Sequence, residues 1–164
     1  MELYRRYGPA LVRKAERMLG NRDDARDAVQ GLFVDLLDRT LPVELRGDAP
    51  EGALPYLYRA LTNRCLNQLR DARTRARLLE REERLFHPAR LRCEDAIVSL
   101  DVLTKLCARL DPKVAEVLVY RYVDDLTQEE IAQLSGTSRK TVHARLAKIQ
   151  DAVRALMGGA GDAG

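Results

Sequence analysis

Aromatic side chains are scarce in this sequence: they make up 5% of 164 residues, with no tryptophan and two phenylalanines. Large aromatic cores are therefore excluded, and small aliphatic helical cores are what a hydrophobic content of 46% can build. Long apolar runs are also missing. None approaches the roughly 18 to 20 residues of a spanning helix, so no membrane insertion is expected. The opening Met1-Glu2-Leu3-Tyr4-Arg5-Arg6 has no apolar signal segment, and a cytoplasmic protein is expected. Cysteine is sparse and odd in number. Cys65, Cys93 and Cys107 are widely spaced, with no CxxC and no paired histidine, which argues against a disulfide framework and against a zinc site. Cys65 and Cys107 fall in apolar helical patterns and suit small core filler. The only histidines are His87 and His143. With no phosphate-cradling glycine loop and no nucleophile–base pair, neither a cofactor nor an enzymatic activity is expected.

A strong charge of one sign is absent as well. Charged residues are 32% of the chain, yet the formal net charge is +3. Segregation therefore matters more than the sum: acidic residues are frequent over 21–51 and basic ones dominate 59–92. Strand-like alternation is not seen, whereas three- and four-residue apolar spacing recurs, so the fold class is all-α, with two small helical domains. A first helix is predicted over residues 1–19, with Leu3, Tyr4, Tyr7, Leu11, Ala15 and Leu19 near one face, a kink point at Gly8-Pro9 and a stop at Gly20. Asn21 caps a second helix, whose apolar stripe is Ala25, Ala28, Val29, Leu32, Phe33, Leu36 and Leu37. Pro42, Gly47, Pro50 and Gly52 mark a loop. A third helix runs from Ala53 or Pro55 to Arg75, with Leu57, Ala60, Leu61, Cys65, Leu66 and Leu69 on its apolar side. Apolar periodicity then fades into an arginine-rich linker, helix resumes from Glu94 to Leu110, and another starts at Pro112.

The stretch "LTQEEIAQLSGTSRKTVHARL" (Leu126–Leu146) is the most informative. Thr127 and Glu130 have capping-box spacing, and Leu126 can staple against Ile131. Gly136 is free to take positive φ in the turn. Thr137 or Ser138 caps a second helix that buries Val142, Leu146 and Ile149. Its other side carries Arg139, Lys140, His143, Arg145 and Lys148, with no acidic residue from Ser138 to Gln150. Two short helices, a glycine turn and a basic second helix make a helix-turn-helix, whose second helix enters a DNA major groove. A plain helical hairpin with a solvated face is the bland alternative; a solvated face normally mixes signs.

Three separated stretches carry a resemblance. "DDARDAVQGLFVDLL" (Asp23–Leu37) resembles the second region of sigma factors, where an acidic-Ala-x-Asp-x-Val-Gln-x-x-Phe pattern docks on core RNA polymerase. "YLYRALTNRCLNQLR" (Tyr56–Arg70) is similar to the adjoining promoter-melting helix, and Leu110–Leu146 resembles the fourth region. The chain looks like an extracytoplasmic-function sigma factor of the sigma-70 family. The resemblance implies region 2 over 1–77, a linker over 78–94, region 4 over 95–157 and a flexible tail over 158–164. It implies core RNA polymerase and promoter DNA as partners, with an anti-sigma factor as a further one. The implied polymerase-binding residues are Asp24, Asp27, Gln30 and Asp35. Those for −10 DNA are Tyr56, Arg59, Asn63, Arg64, Asn67 and Arg70. Those for −35 DNA are Ser138, Arg139, Lys140, Thr141, His143, Arg145 and Lys148. The chain departs from the family pattern at Gly31 and Arg26, where acidic residues are usual, at Tyr56 in place of Trp and at Asn67 in place of Asp.

The alternative function is a conventional helix-turn-helix transcription regulator with no role in opening DNA. It calls for a ligand-pocket, receiver or coiled-coil pattern in the first half, and none is seen. A pure protein-interaction module that keeps an inert helical hairpin is a third reading.

Overall fold

The computed structural model describes residues 2–38, 52–78, 90–93 and 96–158. The chain divides into two compact units, Met1–Gln68 and Leu69–Gly164. The first is built from α1 (Glu2–Leu19), α2 (Arg22–Asp38) and the first part of α3 (Ala53–Leu78). The second takes the end of α3, a pair of strands, β1 (Arg90–Cys93) and β2 (Ala96–Ser99), and α4 (Leu100–Arg109), α5 (Pro112–Tyr122), α6 (Gln128–Ser135) and α7 (Arg139–Gly158). Both cores are helical, as the apolar spacing requires.

In the first unit α1 is one unbroken helix. It carries Pro9 in its interior at the cost of a backbone hydrogen bond, and no restart occurs at Gly8-Pro9. Gly20 ends it with φ 71° and a bond from its N–H to the Glu16 carbonyl at 2.8 Å. Asn21 caps α2 as its sequence position indicates: its Oδ1 accepts from the Asp23 and Asp24 N–H groups at 2.8 and 3.3 Å. Leu11, Ala15, Met18, Ala25, Ala28, Val29, Leu32, Leu36, Leu57, Leu61, Cys65 and Leu66 form the core. Leu37 departs from its expected place in the stripe and is 81% exposed. At 3.6 residues per turn it has rotated past the edge of the buried sector, while Leu36 remains inside it. Tyr4, also expected on the buried face, is 39% exposed and meets Phe33 edge-on, with ring centroids 5.1 Å apart.

Lys14 was not visible to a hydrophobic pattern. It is 1% exposed, and its ammonium sits 3.9 Å from the centre of the Tyr58 ring on α3. A desolvated cation over an aromatic face is attracted by the ring quadrupole. Thr62, wholly buried on the same helix, donates back to the Tyr58 carbonyl at 2.8 Å.

In the second unit α5 and α6 both pack on α7, and α4 touches α5 and α7. Val142, Leu146, Ile149 and the core filler Cys107 are buried as the sequence pattern implies, together with Leu103, Leu106, Val114, Val117, Leu118, Val119, Tyr120, Val123 and Ile131. The expected helix from Glu94 is corrected: α4 starts at Leu100, and the preceding residues pair as an antiparallel two-stranded sheet with Arg90 opposite Ser99 and Cys93 opposite Ala96. The β-branched Ile97 and Val98 favour that state, but four-residue strands are too short for alternation to stand out. Helix α7 continues to Gly158, where the tail was expected to begin. Residues 79–89, most of the expected linker, and 159–164 lie outside the described residues.

The buried cation yields a test of the first core. A double-mutant cycle of Lys14→Met and Tyr58→Leu, read by denaturant unfolding, is expected to give a coupling of about 1–2 kcal/mol. Additive effects within error would show that the contact contributes nothing.

Candidate nucleic-acid and partner-binding surfaces

The helix-turn-helix of the second unit is held by local chemistry at each joint. Asp111 caps α5 by accepting from the Lys113 N–H at 2.9 Å, with Pro112 in the first turn. Past α5 the chain reverses through Asp125, which adopts φ 55°; aspartate tolerates this left-handed region better than most residues. The Leu126 N–H bonds the Tyr120 carbonyl at 2.9 Å, and Arg121 Nη1 donates to the Leu126 carbonyl at 3.3 Å. The capping box of α6 is complete. The Thr127 N–H donates to Glu130 Oε2 at 2.8 Å and the Glu130 N–H to Thr127 Oγ1 at 3.3 Å, while the Thr127 hydroxyl also donates to the Glu130 carboxylate at 2.7 Å. Gly136 takes φ 61° and ends α6, its N–H bonding the Gln133 carbonyl at 3.3 Å.

Ser138 caps α7: its Oγ accepts from the Thr141 N–H at 3.1 Å and lies 2.9 Å from Thr141 Oγ1. Of the −35 residues, Ser138 and Thr141 thus hold the start of the helix. Val142, Leu146 and Ile149 face inward, so spacing turns Lys140 and Lys148 outward, with Arg139 and His143 toward one flank and Arg145 toward the other. Arg139, Lys140, His143 and Lys148 are exposed, and Arg145 is half-buried. The sequence did not single out Glu129, which reaches from α6 to Arg139 at 3.4 Å and offsets part of its charge. Nor did it single out Arg121, which fixes the turn entering α6. Their signal is tertiary proximity, which spacing along one helix does not report.

In the first unit α3 turns Leu57, Leu61 and Cys65 inward, leaving Tyr56, Arg59, Asn63 and Asn67 along the opposite line. Asn63 and Asn67 are exposed; Tyr56 and Arg59 are half-buried. Arg64 is set apart from that line. It crosses to α2 and pairs with Asp35, Nη1 to Oδ2, at 2.7 Å. On α2, Asp24, Asp27, Gln30 and Val34 are exposed. Arg70 lies in the second unit, where its Nε donates to the Cys107 carbonyl at 3.2 Å. The structure thus places four of the six −10 residues on one line of α3 and turns Arg64 and Arg70 to other partners.

Cys65 and Cys107 are buried free thiols. Burial, opposed weakly by nearby cations, pushes each up to about 12, so both stay protonated and unreactive at neutral pH. Among the described residues, no group of three or more His, Cys, Asp or Glu side chains could hold a metal ion.

Glu130 carries a pH prediction. Hydrogen bonds from the Thr127 hydroxyl and then from its backbone N–H favour the carboxylate and lower its pKa from the ordinary value. A lowered folded-state pKa gives stability that is complete above the unfolded value and lost as pH falls through the folded one. The advantage of the parent over Glu130→Gln in thermal melting is therefore expected to shrink as pH drops below about 4; a constant difference would show the carboxylate is not used. Gly136 carries a second prediction. A Cβ there meets nothing within 4 Å, so Gly136→Ala adds only backbone strain. It is expected to destabilise the unit by about 1–2 kcal/mol in chemical denaturation.

Comparison with known proteins gives two family matches. The model for Sigma-70 region 2 matches residues 3–75, and the model for Sigma-70, region 4 matches residues 100–149. The first match runs through α1, α2 and most of α3; the second runs from α4 into α7. Among solved structures, the sigma factor RpoE in complex with the anti-sigma factor NepR from Bartonella quintana is similar over 92% of this chain and 91% of that chain, at 20% identity and a TM-score of 0.47.

Proposed function

Because the chain belongs to the sigma-70 family, with regions 2 and 4 matched in order over more than half its length, we propose that two separate surfaces do its work. As a sigma factor it directs core RNA polymerase to promoters. The observation that carries this reading is the presence of both family regions, one matched largely to each compact unit. A conventional regulator that keeps a helix-turn-helix has no reason to carry region 2.

The exposed face of α2, with Asp24, Asp27, Gln30 and Asp35, docks on core polymerase. That face is free because the opposite stripe is consumed by the core. The outward line of α3, from Tyr56 through Arg59 and Asn63 to Asn67, holds the opened −10 strand. Extruding a base costs a few kcal/mol, and stacking on Tyr56 with polar and cationic groups beside it offsets that cost. Helix α7 enters the −35 major groove, Arg139, Lys140, His143, Arg145 and Lys148 meeting bases and phosphates while Ser138 and Thr141 fix the helix start. The protein acts by binding and not by catalysis, and its partners place it in the cytoplasm. No helix among the described residues is long and apolar enough to cross a membrane. An anti-sigma factor is a further partner, on the strength of the family resemblance.

The decisive experiment is in vitro transcription with purified core polymerase, together with core binding in the absence of DNA. Stoichiometric binding and start sites at defined promoters are expected; no binding without DNA would favour the regulator. Asp27→Lys combined with Gln30→Ala is expected to weaken core binding with the fold intact by circular dichroism. Arg145→Ala is expected to lower promoter affinity by about 1–3 kcal/mol at one base position, whereas Lys148→Ala weakens all sequences alike and flattens the salt dependence. Unchanged promoter affinity in both would remove α7 from the groove.

A further inference from the structure

We infer that Arg64, although it grows from α3, belongs to the polymerase-docking face of α2, and that Gly31 is the seat that puts it there. The inference rests on the proposed reading of that face.

Gly31 lies between Asp27 and Asp35 at four-residue steps, so the three share one side of α2, with Val34 beside them. A Cβ built on Gly31 would stand 2.7 Å from Arg64 Cζ and closer still to Nη2, well inside van der Waals contact. No residue but glycine leaves room for the guanidinium here. Its Nη1 is fixed by Asp35 at 2.7 Å, and its Nε is shielded and has no hydrogen-bond partner. The side chain as a whole is still 34% exposed. A cation thus occupies the middle of a face that carries Asp24, Asp27 and Asp35, with Arg26, itself 3.8 Å from Asp23, at its edge. Glycine in a helix interior is unfavourable relative to alanine, and nothing about the backbone of α2 at this point calls for one. What Gly31 supplies is space.

The surface so formed fits a partner that presents cations opposite Asp24 and Asp27 and an acceptor, a carboxylate or a carbonyl, opposite Gly31. Core polymerase is the partner assigned to this face. A guanidinium can hold Asp35 with one nitrogen and meet a second acceptor with another, because its donors form a rigid planar fork. The same placement removes Arg64 from the strand-holding line of Tyr56, Asn63 and Asn67.

The test uses the full chain, a fluorescent label and core polymerase without DNA, followed by promoter opening at saturating polymerase. Gly31→Ala and Arg64→Gln are each expected to weaken core binding about tenfold, with the opening defect vanishing once polymerase saturates. Gly31→Ala is expected to melt no lower than the parent, since alanine favours the helix. Weaker binding in a protein of equal or greater stability is a result that a merely structural ion pair does not produce. If Asp27→Lys with Gln30→Ala weakens binding while Gly31→Ala and Arg64→Gln do not, the docking face stands and the inference is overturned. If none of these variants alters binding, the docking reading itself fails. If Arg64→Gln binds core normally yet opens promoters poorly at saturation, Arg64 holds the strand and the inference is wrong. Should Arg64→Gln not fold, Gly31→Ala decides alone.

Discussion

Burial of one stripe of α3 governs the first unit. Leu57, Leu61 and Cys65 are fully enclosed and recur at four-residue steps, and each large aliphatic side chain so placed contributes about 1.5–3 kcal/mol. Rotating the helix by a single residue would expose part of that set and bury asparagine amides without partners, each at about 1–3 kcal/mol. The orientation is therefore strongly determined. Everything polar on α3 is disposed by it: Tyr56, Asn63 and Asn67 point away from the core because the opposite side is spent, and Arg64 stands at the edge nearest α2. The proposed strand-holding surface is a consequence of packing, needing no special device of its own.

Helix-turn-helix chemistry in the second unit is different in kind. Its joints are closed by residues two to five apart: Asp111 on Lys113, Arg121 on Leu126, Thr127 with Glu130, Ser138 with Thr141. Such interactions are nearly independent of the remainder of the chain, and this is why the sequence alone located the capping box and the glycine turn at Gly136. Where the sequence was misleading, the deciding interaction was distant. Leu37 reads as part of a stripe because it follows Leu36, yet 3.6-residue geometry carries it out of the core. Lys14 falls outside any apolar pattern, and its burial is accompanied by the ring of Tyr58, which arrives from α3. The strand pair ahead of α4 has eight residues in total, too few for a period to register.

The same distinction applies to the charged surfaces. From spacing alone α7 is an uninterrupted basic face and α2 an acidic one. Across helices, both are tempered: Glu129 of α6 meets Arg139, and Arg64 of α3 meets Asp35. Exposed pairs of this sort contribute at most about 1 kcal/mol to stability, so folding is a weak reason for them. Their larger effect is on what a partner sees, since electrostatic complementarity sets specificity and encounter rate more than affinity.

Gly31 brings these threads together. Local preference, packing and charge agree along most of this chain, and where one of them is broken without structural need, function is the first place to look for compensation. Glycine in the interior of α2 breaks helix preference by about 1 kcal/mol. It fills no turn, and its absent side chain is replaced by a guanidinium from another helix. The resemblance of this stretch to the second region of sigma factors implies an acid at this position. The substitution reverses the sign of charge at the centre of one face while leaving the helix and its buried stripe intact. A change confined to the outer surface of a helix, unfavourable for the helix itself, has its compensation in whatever docks there.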